Sequence, residues 1–463
     1  MLPISLPASR VIHAATLAAA LGAVAHAQGP PVATLHPGEF YFRIGDRQTF
    51  LLGKNPTGWQ VAQFEPLLDW AQGSGERIVR VQLTTGFGMG VARGEIDEQW
   101  AAKWESVFDL AEEREILVLP VFGVWADWND GSGDEPWHAW HKNPYGPELG
   151  GPAASPTELL RDTECRRQWL NWLARLVERW SPRTNILGWE VFSEPNLVTG
   201  ATDAPAVEFV ARAAEVIRQA DPHQRPITAS LAGARAWRGG SSMMDGVAEI
   251  VDILQVHPYH ADLDARIIRA VRALRSRYEK PVMIGECGLS AAPPGNPLTT
   301  APRAHIGIKH AIWAAMVSGA MNGRMLWWED GYDQYDRLDI RTAYKNASVP
   351  VARSVEGIDF ADMAPLEVEA SEGLFGAALG HEHAVLAWFR DADCVAPEWP
   401  VKQIDRAELR VRVLGPAETW TAEFIDTRTG DVSTVKTVSR DDDWLTVALP
   451  PFEDDIAVRL TTD

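Results

Sequence analysis

Short apolar runs alternate with amphipathic stretches along most of the chain. The runs have the length of buried strands, and the stretches between them repeat apolar residues with the spacing of one helix face. Strands are predicted at residues 50–54, 78–83, 116–121, 186–192, 226–231, 253–257, 281–285 and 323–328. Helices are predicted at residues 100–114, 165–180, 204–220, 263–278 and 304–318, while a loop is expected between the fifth and sixth strands.

Strands that alternate with helices form a parallel sheet. Eight such units over about 300 residues predict an α/β fold closed into a (β/α)8 barrel, or TIM barrel. An open, doubly wound sheet is the alternative. Its nucleotide-binding form needs a G-x-G-x-x-G motif where the first helix begins, and the chain has none there. The pattern therefore favours the barrel.

The pattern changes after residue 362, where short alternating runs are separated by turn residues and no convincing helix interrupts them. These runs lie at residues 374–379, 384–389, 409–413, 419–425 and 445–449. They predict a small all-β sandwich. We therefore expect a barrel domain at residues 35–362 and a β-sandwich domain at residues 363–463.

Residues 1–27 have the layout of a secretory signal peptide. Arg10 precedes a short, alanine-rich apolar stretch at residues 11–24, and Ala25-His26-Ala27 forms an A-x-A cleavage pattern. An uncleaved anchor is the alternative, although the stretch is short for a bilayer. No later run reaches the about 18 apolar residues of a membrane helix. The mature protein is therefore expected to be secreted or periplasmic and to make no membrane contact.

Composition narrows the ligand class. The formal net charge of −20 argues against nucleic acid and anionic membrane surfaces as partners. The three cysteines allow at most one disulfide, and no C-x-x-C motif occurs. The 20 tryptophans offer faces on which the apolar C–H surface of sugar rings can stack. Composition thus admits a carbohydrate ligand and gives no indication of oligomeric state.

Two glutamates stand where apolar strands end. Glu194 follows the fourth predicted strand and Glu286 the seventh, and strand ends on one face carry the chemistry of such a barrel. Cleaving a glycosidic bond requires one protonated and one ionised carboxyl group, about 5–5.5 Å apart in retaining enzymes. Either glutamate alone could be an ion-pair partner, but the pair indicates a glycosidase pocket.

The segments around both glutamates resemble those of clan A glycoside hydrolases, especially family 5 and its cellulase- or mannanase-like relatives. Residues 189–196, Trp-Glu-Val-Phe-Ser-Glu-Pro-Asn, resemble the acid/base signature of that clan. Residues 282–288, Val-Met-Ile-Gly-Glu-Cys-Gly, are similar to its nucleophile segment. The resemblance covers roughly residues 40–360 and includes Arg80, His257-Pro258-Tyr259 and residues 325–330.

The resemblance implies a retaining mechanism with a covalent glycosyl-enzyme intermediate. Glu286 would be the nucleophile and Glu194 the acid/base, with no metal or cofactor in the chemistry. Family 5 members usually have asparagine before the acid/base, where it contacts the sugar 2-hydroxyl, and this chain has Ser193. Serine has a shorter reach, so this departure bears on the substrate and on membership of family 5 more than on the reaction.

Supporting roles are predicted from what the two carboxyl groups need. Arg80 and Tyr259 are the candidates to hold Glu286 ionised, because a nearby cation and hydroxyl lower the pKa of a carboxyl group. Arg80 could instead neutralise Glu190, which shares a strand face with the acid/base, and both roles are compatible. His257 is expected to hydrogen-bond the acid/base or the substrate, and a structural role is the alternative.

Several tryptophans are predicted to contact the sugar. Trp327 and Trp328 point to opposite faces if the eighth strand continues through them, so one of them is expected to form the stacking surface beneath the sugar. The sequence does not decide which. Trp59 after the first strand and Trp125 in the long loop after the third are candidates for outer subsites, and packing within their own loops is the alternative. The same loop also holds Trp128, Trp137 and Trp140.

The sequence therefore predicts a secreted, retaining β-glycoside hydrolase acting on a β-linked polysaccharide or oligosaccharide, with a β-glucan or β-mannan as the first expectation. The alternative is a non-catalytic carbohydrate-binding protein on a barrel scaffold. A metal-dependent hydrolase would need clustered histidines and aspartates at strand ends, where only His257 and His260 fall. The acidic segment 329–336 lacks the spacing of a calcium loop and is expected to form a polar rim of the cleft.

Overall fold

The computed structural model describes residues 31–462, apart from residues 86, 90, 93, 132–137, 234–241, 292–296 and 329–337. The predicted signal peptide and the acidic segment 329–336 lie outside the described residues. Within the described part of the chain, no helix is both long and apolar enough to cross a bilayer.

Eight parallel strands form the centre of the molecule. They are β1 (Leu51–Lys54), β2 (Ile78–Gln82), β3 (Leu117–Val124), β4 (Trp189–Ser193), β5 (Ile227–Leu231), β6 (Ile253–Val256), β7 (Val282–Ile284) and β8 (Asn322–Arg324). From β1 to β7 each strand pairs with the next one in the chain, and β8 pairs with β1 on its other side. The predicted (β/α)8 barrel is therefore confirmed.

The seam between β7 and β8 is closed by one side chain together with the backbone beside it. Asn322 accepts a hydrogen bond from the Ile284 N–H at 2.8 Å and donates its amide to the Ile284 carbonyl at 2.9 Å. Beyond the two strands, the Cys287 N–H donates to the Met325 carbonyl at 2.9 Å. The Asn322 side-chain amide thus replaces the pair of backbone hydrogen bonds that would otherwise join β7 to β8 at Ile284.

Helices cover the outside of the barrel. They are α1 (Phe64–Gly73), α2 (Glu98–Glu112), α3 (Glu164–Trp180), α4 (Asp203–Ala220), α5 (Ser242–Ile250), α6 (Leu263–Tyr278), α7 (Ala304–Ser318) and α8 (Leu338–Ser354). The expectation of a loop between β5 and β6 is wrong, since α5 lies there. This helix buries only four apolar side chains and contains Gly246. The helical spacing of its apolar residues is therefore too short to be recognised in the sequence. Helices α1 and α8 were also not predicted.

Two predicted C-terminal strand ends differ from the observed ones by three residues or more. Strand β3 runs to Val124, three residues further than expected, and its last residues are all buried. Strand β8 ends at Arg324 because Arg324 and Met325 have φ angles of 70° and 51°. This left-handed backbone cannot continue a strand. Trp327 and Trp328 therefore follow the strand and do not lie within it.

A second, antiparallel unit follows the barrel. Its strands are β9 (Ala364–Leu366), β10 (Val368–Ala370), β11 (Leu374–Gly380), β12 (Ala384–Asp391), β13 (Gln403–Ile404), β14 (Ala407–Arg412), β15 (Thr419–Ile425), β16 (Val432–Asp441), β17 (Trp444–Leu449), β18 (Phe452–Glu453) and β19 (Asp455–Thr461). The long strand β16 pairs with β15 on one side and β17 on the other. Strand β16 was not predicted because most of its residues are exposed and no apolar face marks it.

Smaller sheets complete the chain. Residues Ala33–Thr34, Phe42–Ile44 and Arg47–Thr49 form an antiparallel sheet before the barrel, with a turn at Gly45-Asp46 between the last two strands. Val91–Ala92 pairs with Glu95–Ile96 in the loop after β2.

Helix α7 joins the barrel to the sandwich. Every residue from Ile306 to Ser318 is buried, and so is Ala304, because the barrel covers one side of the helix while β11 and β12 cover the other. Its Lys309 reaches into the sandwich and forms ion pairs with Asp454, at 2.6 Å, and Asp455. The three cysteines, Cys165, Cys287 and Cys394, form no disulfide and are all buried.

Candidate active site

The two predicted catalytic glutamates meet at the C-terminal end of the barrel. Glu194 comes directly after β4, and Glu286 lies two residues after β7. Their side chains and that of His257 lie close enough that one carboxylate oxygen of each glutamate and one imidazole nitrogen are within 4.8 Å of one another. All three residues are buried.

The end of β4 departs from strict alternation of inner and outer side chains. Phe192 would share the inner face with Glu190, but its ring packs outward against Trp169 and Phe209. Gly123 on β3 makes this possible, because a Cβ atom there would lie 2.2 Å from the Phe192 ring. Glu194 then has a φ of 61°, a strained conformation for a residue with a side chain.

Both carboxylate oxygens of Glu286 accept hydrogen bonds. Arg80 donates to Oε1 at 2.7 Å and Gln82 to the same oxygen at 3.2 Å, while the Tyr259 hydroxyl donates to Oε2 at 2.8 Å. Burial alone would raise the pKa of Glu286. The charges of His257 and Arg80 and the Tyr259 hydrogen bond outweigh burial, so this pKa lies below its ordinary value.

Arg80 contacts both Glu286 and Glu190, the two partners that the sequence suggested for it. Its guanidinium forms a bidentate pair with Glu190, at 2.6 and 2.8 Å, and also donates to Glu286. It further donates to the Ser193 hydroxyl at 2.9 Å and to the Asn55 side-chain oxygen at 3.2 Å. Burial would lower the pKa of Arg80, but the two glutamates raise it above its ordinary value, so the cation is permanent.

His257 contacts the acid/base candidate directly. Its Nδ1 lies 2.7 Å from Glu194 Oε1 and 3.5 Å from Glu286 Oε2, and its Nε2 lies 3.0 Å from the Gln255 side-chain oxygen. Burial would lower the pKa of His257, but the charges of Glu286 and Glu194 raise it. Burial and the neighbouring Glu286 raise the pKa of Tyr259 well above its ordinary value, so its hydroxyl remains a donor.

The predicted sugar-binding residues divide into pocket and rim. Trp327 and Trp328 are both half-buried, and their ring centroids are 6.4 Å apart. Trp327 borders a small cavity together with Arg80 and Gln82. Ser193 is buried in the pocket wall, where its hydroxyl accepts from the Arg80 guanidinium. Trp59 is 50% exposed.

The loop after β3 contains both kinds of tryptophan. Trp125 is half-buried, and its ring lies 5.8 Å from that of His138. Trp128 is fully buried against Trp140 and Tyr145, so it packs within its own loop. Trp137 lies outside the described residues.

Several pocket residues were not singled out from the sequence. Gln82 lies two positions after Arg80, and Gln255 two positions before His257, so the period of a strand places both on the same inner face. Asn55 follows β1, and its amide donates to the carbonyls of Gly285 and Met325 at 3.0 Å. Alternation and strand-end position could have identified all of them.

The same cluster offers donor atoms that a divalent cation would accept. The Glu194, His257 and Glu286 atoms are close enough to hold one. However, Arg80 already brings a positive charge to 2.7 Å from Glu286 Oε1, and Tyr259 donates to the other oxygen. A cation at this position would compete with the guanidinium for the same carboxylate, so the arrangement favours proton transfer between the side chains.

The barrel with its C-terminal sheet unit occurs in known structures. No protein-family model and no curated protein matches the chain. A glycoside hydrolase family 5 structure from Bacteroides vulgatus has a TM-score of 0.62 at 12% identity, over 93% of each chain. A structure from the same organism described as a putative glycoside hydrolase has a TM-score of 0.58 at 12% identity, over 94% of this chain and 83% of that one.

A third similar structure belongs to another glycosidase family. It is the glycoside hydrolase family 30 endoxylanase from Clostridium papyrosolvens, with a TM-score of 0.50 at 11% identity, over 90% of this chain and 97% of that one. Identities this low establish similarity of fold alone. The chain therefore has the fold shared by glycoside hydrolase structures of families 5 and 30.

Proposed function

We propose that the protein is a retaining β-glycoside hydrolase, with Glu286 as nucleophile and Glu194 as acid/base. The observation that carries the proposal is the proximity of the two groups, because a carboxylate oxygen of each lies within 4.8 Å of the other. Retaining enzymes hold their carboxyl groups about 5–5.5 Å apart, whereas inverting enzymes need about 6.5–9.5 Å to admit water. The short separation supports direct attack by one carboxylate.

The two environments support different roles. Glu286 accepts hydrogen bonds on both oxygens and has a lowered pKa, as a nucleophile that must be ionised requires. Glu194 faces His257, with which it can share a proton at 2.7 Å. Glu286 would attack the anomeric carbon while Glu194 protonates the departing oxygen. Glu194 would then remove a proton from water, which releases the sugar with its configuration retained.

The proposed substrate is a β-linked polysaccharide or oligosaccharide, with a β-glucan or β-mannan first. Trp327 borders a small cavity with Arg80 and Gln82, which both donate to Glu286, and so offers an aromatic surface near that carboxylate. The signal-peptide pattern of residues 1–27 supports a secreted or periplasmic location. Such a location would bring the enzyme to polymers that do not enter cells.

The direct test is reducing-sugar release from a panel of β-linked polysaccharides and aryl β-glycosides. Glu286→Gln keeps the shape of the side chain and removes the nucleophile, so release is expected to fall at least about 10³-fold. The exposed Glu279→Gln is the matched control and should retain full activity. Equal release by the wild type and Glu286→Gln would refute the assignment, and binding without release by either would favour the carbohydrate-binding protein.

Two further measurements separate the mechanism from its alternatives. Proton NMR of the first product should show the β-anomer before mutarotation, and an initial α-anomer would indicate inversion. Activity should survive exhaustive dialysis against EDTA, because Arg80 supplies the charge that opposes Glu286. Loss of activity that added metal restores would overturn the metal-free mechanism.

A further inference from the structure

Gln255 contacts His257 on the side that faces away from both glutamates. Its side-chain oxygen lies 3.0 Å from His257 Nε2, and its amide nitrogen lies 3.2 Å from Thr228 Oγ1. Gln255 and Thr228 are each 1% exposed, so water is not available to replace these bonds. Gly285 on the neighbouring chain segment leaves the space, because a Cβ atom there would lie 1.6 Å from the Gln255 oxygen.

These hydrogen bonds form a series from the Ile253 carbonyl through Thr228 and Gln255 to His257, and the carbonyl determines the direction of each one. Thr228 Oγ1 lies 2.9 Å from the Ile253 carbonyl oxygen, which can only accept, so the hydroxyl proton belongs to that bond. The Thr228 oxygen must then accept from the Gln255 amide nitrogen. The Gln255 oxygen consequently faces His257, and an oxygen can only accept from Nε2. This series of hydrogen bonds therefore requires a proton on His257 Nε2.

This requirement determines what His257 can do at its other nitrogen. When the neutral ring carries its proton on Nε2, Nδ1 presents a lone pair to Glu194 Oε1 at 2.7 Å. That contact is favourable when Glu194 is protonated and repulsive when Glu194 is ionised and the ring neutral. The Glu194–His257 pair is thus built to retain one proton, located on the glutamate or on Nδ1.

We propose that Gln255 is a positioning residue that keeps the acid/base protonated by fixing the tautomer of His257. The inference rests on the proposed glycosidase function for its kinetic consequence, but the tautomer itself does not. The other charged groups around His257 are Glu286, which lies 3.5 Å from Nδ1, and Arg80, which is paired with Glu286 and Glu190. None of them contacts Nε2, so Gln255 alone acts on that nitrogen among the described residues.

The first test is nitrogen-15 NMR of histidine-labelled wild-type protein, with the His257 signals assigned by their loss in His257→Asn. At a pH where the ring is neutral, Nε2 should give the shift of a protonated nitrogen and Nδ1 that of a bare one. In Gln255→Met, which has no acceptor, the protonated nitrogen should become Nδ1. A wild-type ring with its proton on Nδ1 would overturn the proposal, whether or not the protein is a glycosidase.

The second test compares Gln255→Met with Leu254→Met, a buried residue of the same strand outside the hydrogen-bond chain. The Nδ1–H tautomer would donate to ionised Glu194 and favour loss of its proton. The alkaline limb of kcat/KM should therefore move down by about one pH unit in Gln255→Met, and not in the control.

Leaving-group dependence distinguishes positioning from general damage. With phenyl β-glucoside, which needs the acid, kcat/KM of Gln255→Met should fall about tenfold, and with 2,4-dinitrophenyl β-glucoside by less than about twofold. Gln255→Glu retains an acceptor for Nε2, so its kcat/KM should depend on the leaving group as that of the wild type does. Equal losses on both substrates would refute the positioning role, while an inactive wild type would refute the proposed function and leave the NMR result to decide the tautomer.

Discussion

At the scale of single residues, the site depends on how each carboxyl group is hydrogen-bonded. Glu286 has donors on both oxygens, whereas Glu194 faces an imidazole nitrogen. The same chemical group therefore has two different sets of hydrogen-bond partners in one pocket. This difference comes from neighbours on β2 and in the segment after β6, and not from the glutamates themselves.

Removing one donor from Glu286 should shift the acidic limb of activity. Tyr259→Phe deletes the hydroxyl that donates to Oε2 at 2.8 Å, a bond that lowers the pKa of Glu286. Since Glu286 must be ionised, activity appears as pH rises through this pKa, and raising it moves the acidic limb up. We expect a shift of up to about one pH unit and about a tenfold loss of kcat/KM near the optimum.

The chain offers a matched control for this experiment. Tyr278 also donates its hydroxyl to a carboxylate, Asp245 at 2.6 Å, on the outside of the barrel. Tyr278→Phe should leave the pH profile of kcat/KM unchanged. An acidic limb that stays in place in Tyr259→Phe would show that the hydroxyl does not control the ionisation of Glu286.

Sequence reasoning identified Arg80 and His257 but not Gln82 or Gln255, although strand periodicity places all four in the site. Arg80 and Gln82, and likewise Gln255 and His257, stand two apart on inner strand faces, which alternation alone predicts. The outward turn of Phe192 could not be predicted in this way. It depends on the space that Gly123 leaves on another strand and on the left-handed backbone of Glu194.

At the scale of secondary-structure elements, the barrel is closed between β7 and β8 by a side chain together with the backbone beside it. Strands β7 and β8 have three residues each, and Asn322 supplies two hydrogen bonds to Ile284 across the gap. Glu286 lies two residues after β7, so the position of the proposed nucleophile depends on this seam.

Asn322→Ala should therefore weaken both stability and activity. It leaves a buried N–H and a buried carbonyl of Ile284 without partners, which costs about 2–4 kcal/mol of unfolding free energy. Urea denaturation would measure this loss. The control Asn171→Ala removes one amide hydrogen bond, to Gly94, at an exposed position and should cost less than about 1 kcal/mol. Equal losses in the two variants would argue against a special role of the seam.

The elements that sequence predicted well are those with long periodic patterns. Helices α3 and α6 each bury seven or more side chains on one face, and their predicted and observed bounds nearly coincide. Helix α5 has nine residues and strand β16 is mostly exposed, so neither carries enough apolar positions to reveal its period.

At the scale of the whole molecule, buried charge joins the barrel to the sandwich. Lys309 on α7 pairs with Asp454 and Asp455, and Trp388 donates to Asp455 at 2.9 Å. Burial would raise the pKa of Asp454, but His310 and Lys309 lower it to about 2. Its contribution to stability is therefore present above the unfolded value of about 3.9 and is lost as pH falls through about 2.

Lys309→Met should leave two buried aspartates without their cation and cost about 3–5 kcal/mol of unfolding free energy at neutral pH. The matched control is Lys402→Met. Lys402 also lies between two aspartates, Asp391 at 3.7 Å and Asp393 at 2.8 Å, but it is half exposed, so the loss should be below about 1 kcal/mol. Similar losses, measured by urea denaturation, would show that burial of the cluster is unimportant.

The shared core also predicts how the molecule melts. Side chains of the sandwich, among them Leu379, Leu386 and Trp388, belong to the same hydrophobic cluster as the barrel. Calorimetry of the mature protein should therefore give a single transition in which both units unfold together. Two resolved transitions, one of them sensitive to Asn322→Ala and the other not, would contradict this.

The complete burial of α7 has a consequence for biosynthesis. The helix ends at Ser318, whereas the strands that cover its outer side end at Gly380 and Asp391, and the aspartates that bind Lys309 come later still. Every nascent or truncated chain that ends before these residues presents an apolar helix to its surroundings. Such a surface is what chaperones and quality-control proteases bind, so incomplete products of this gene should be removed and not accumulate as free barrels.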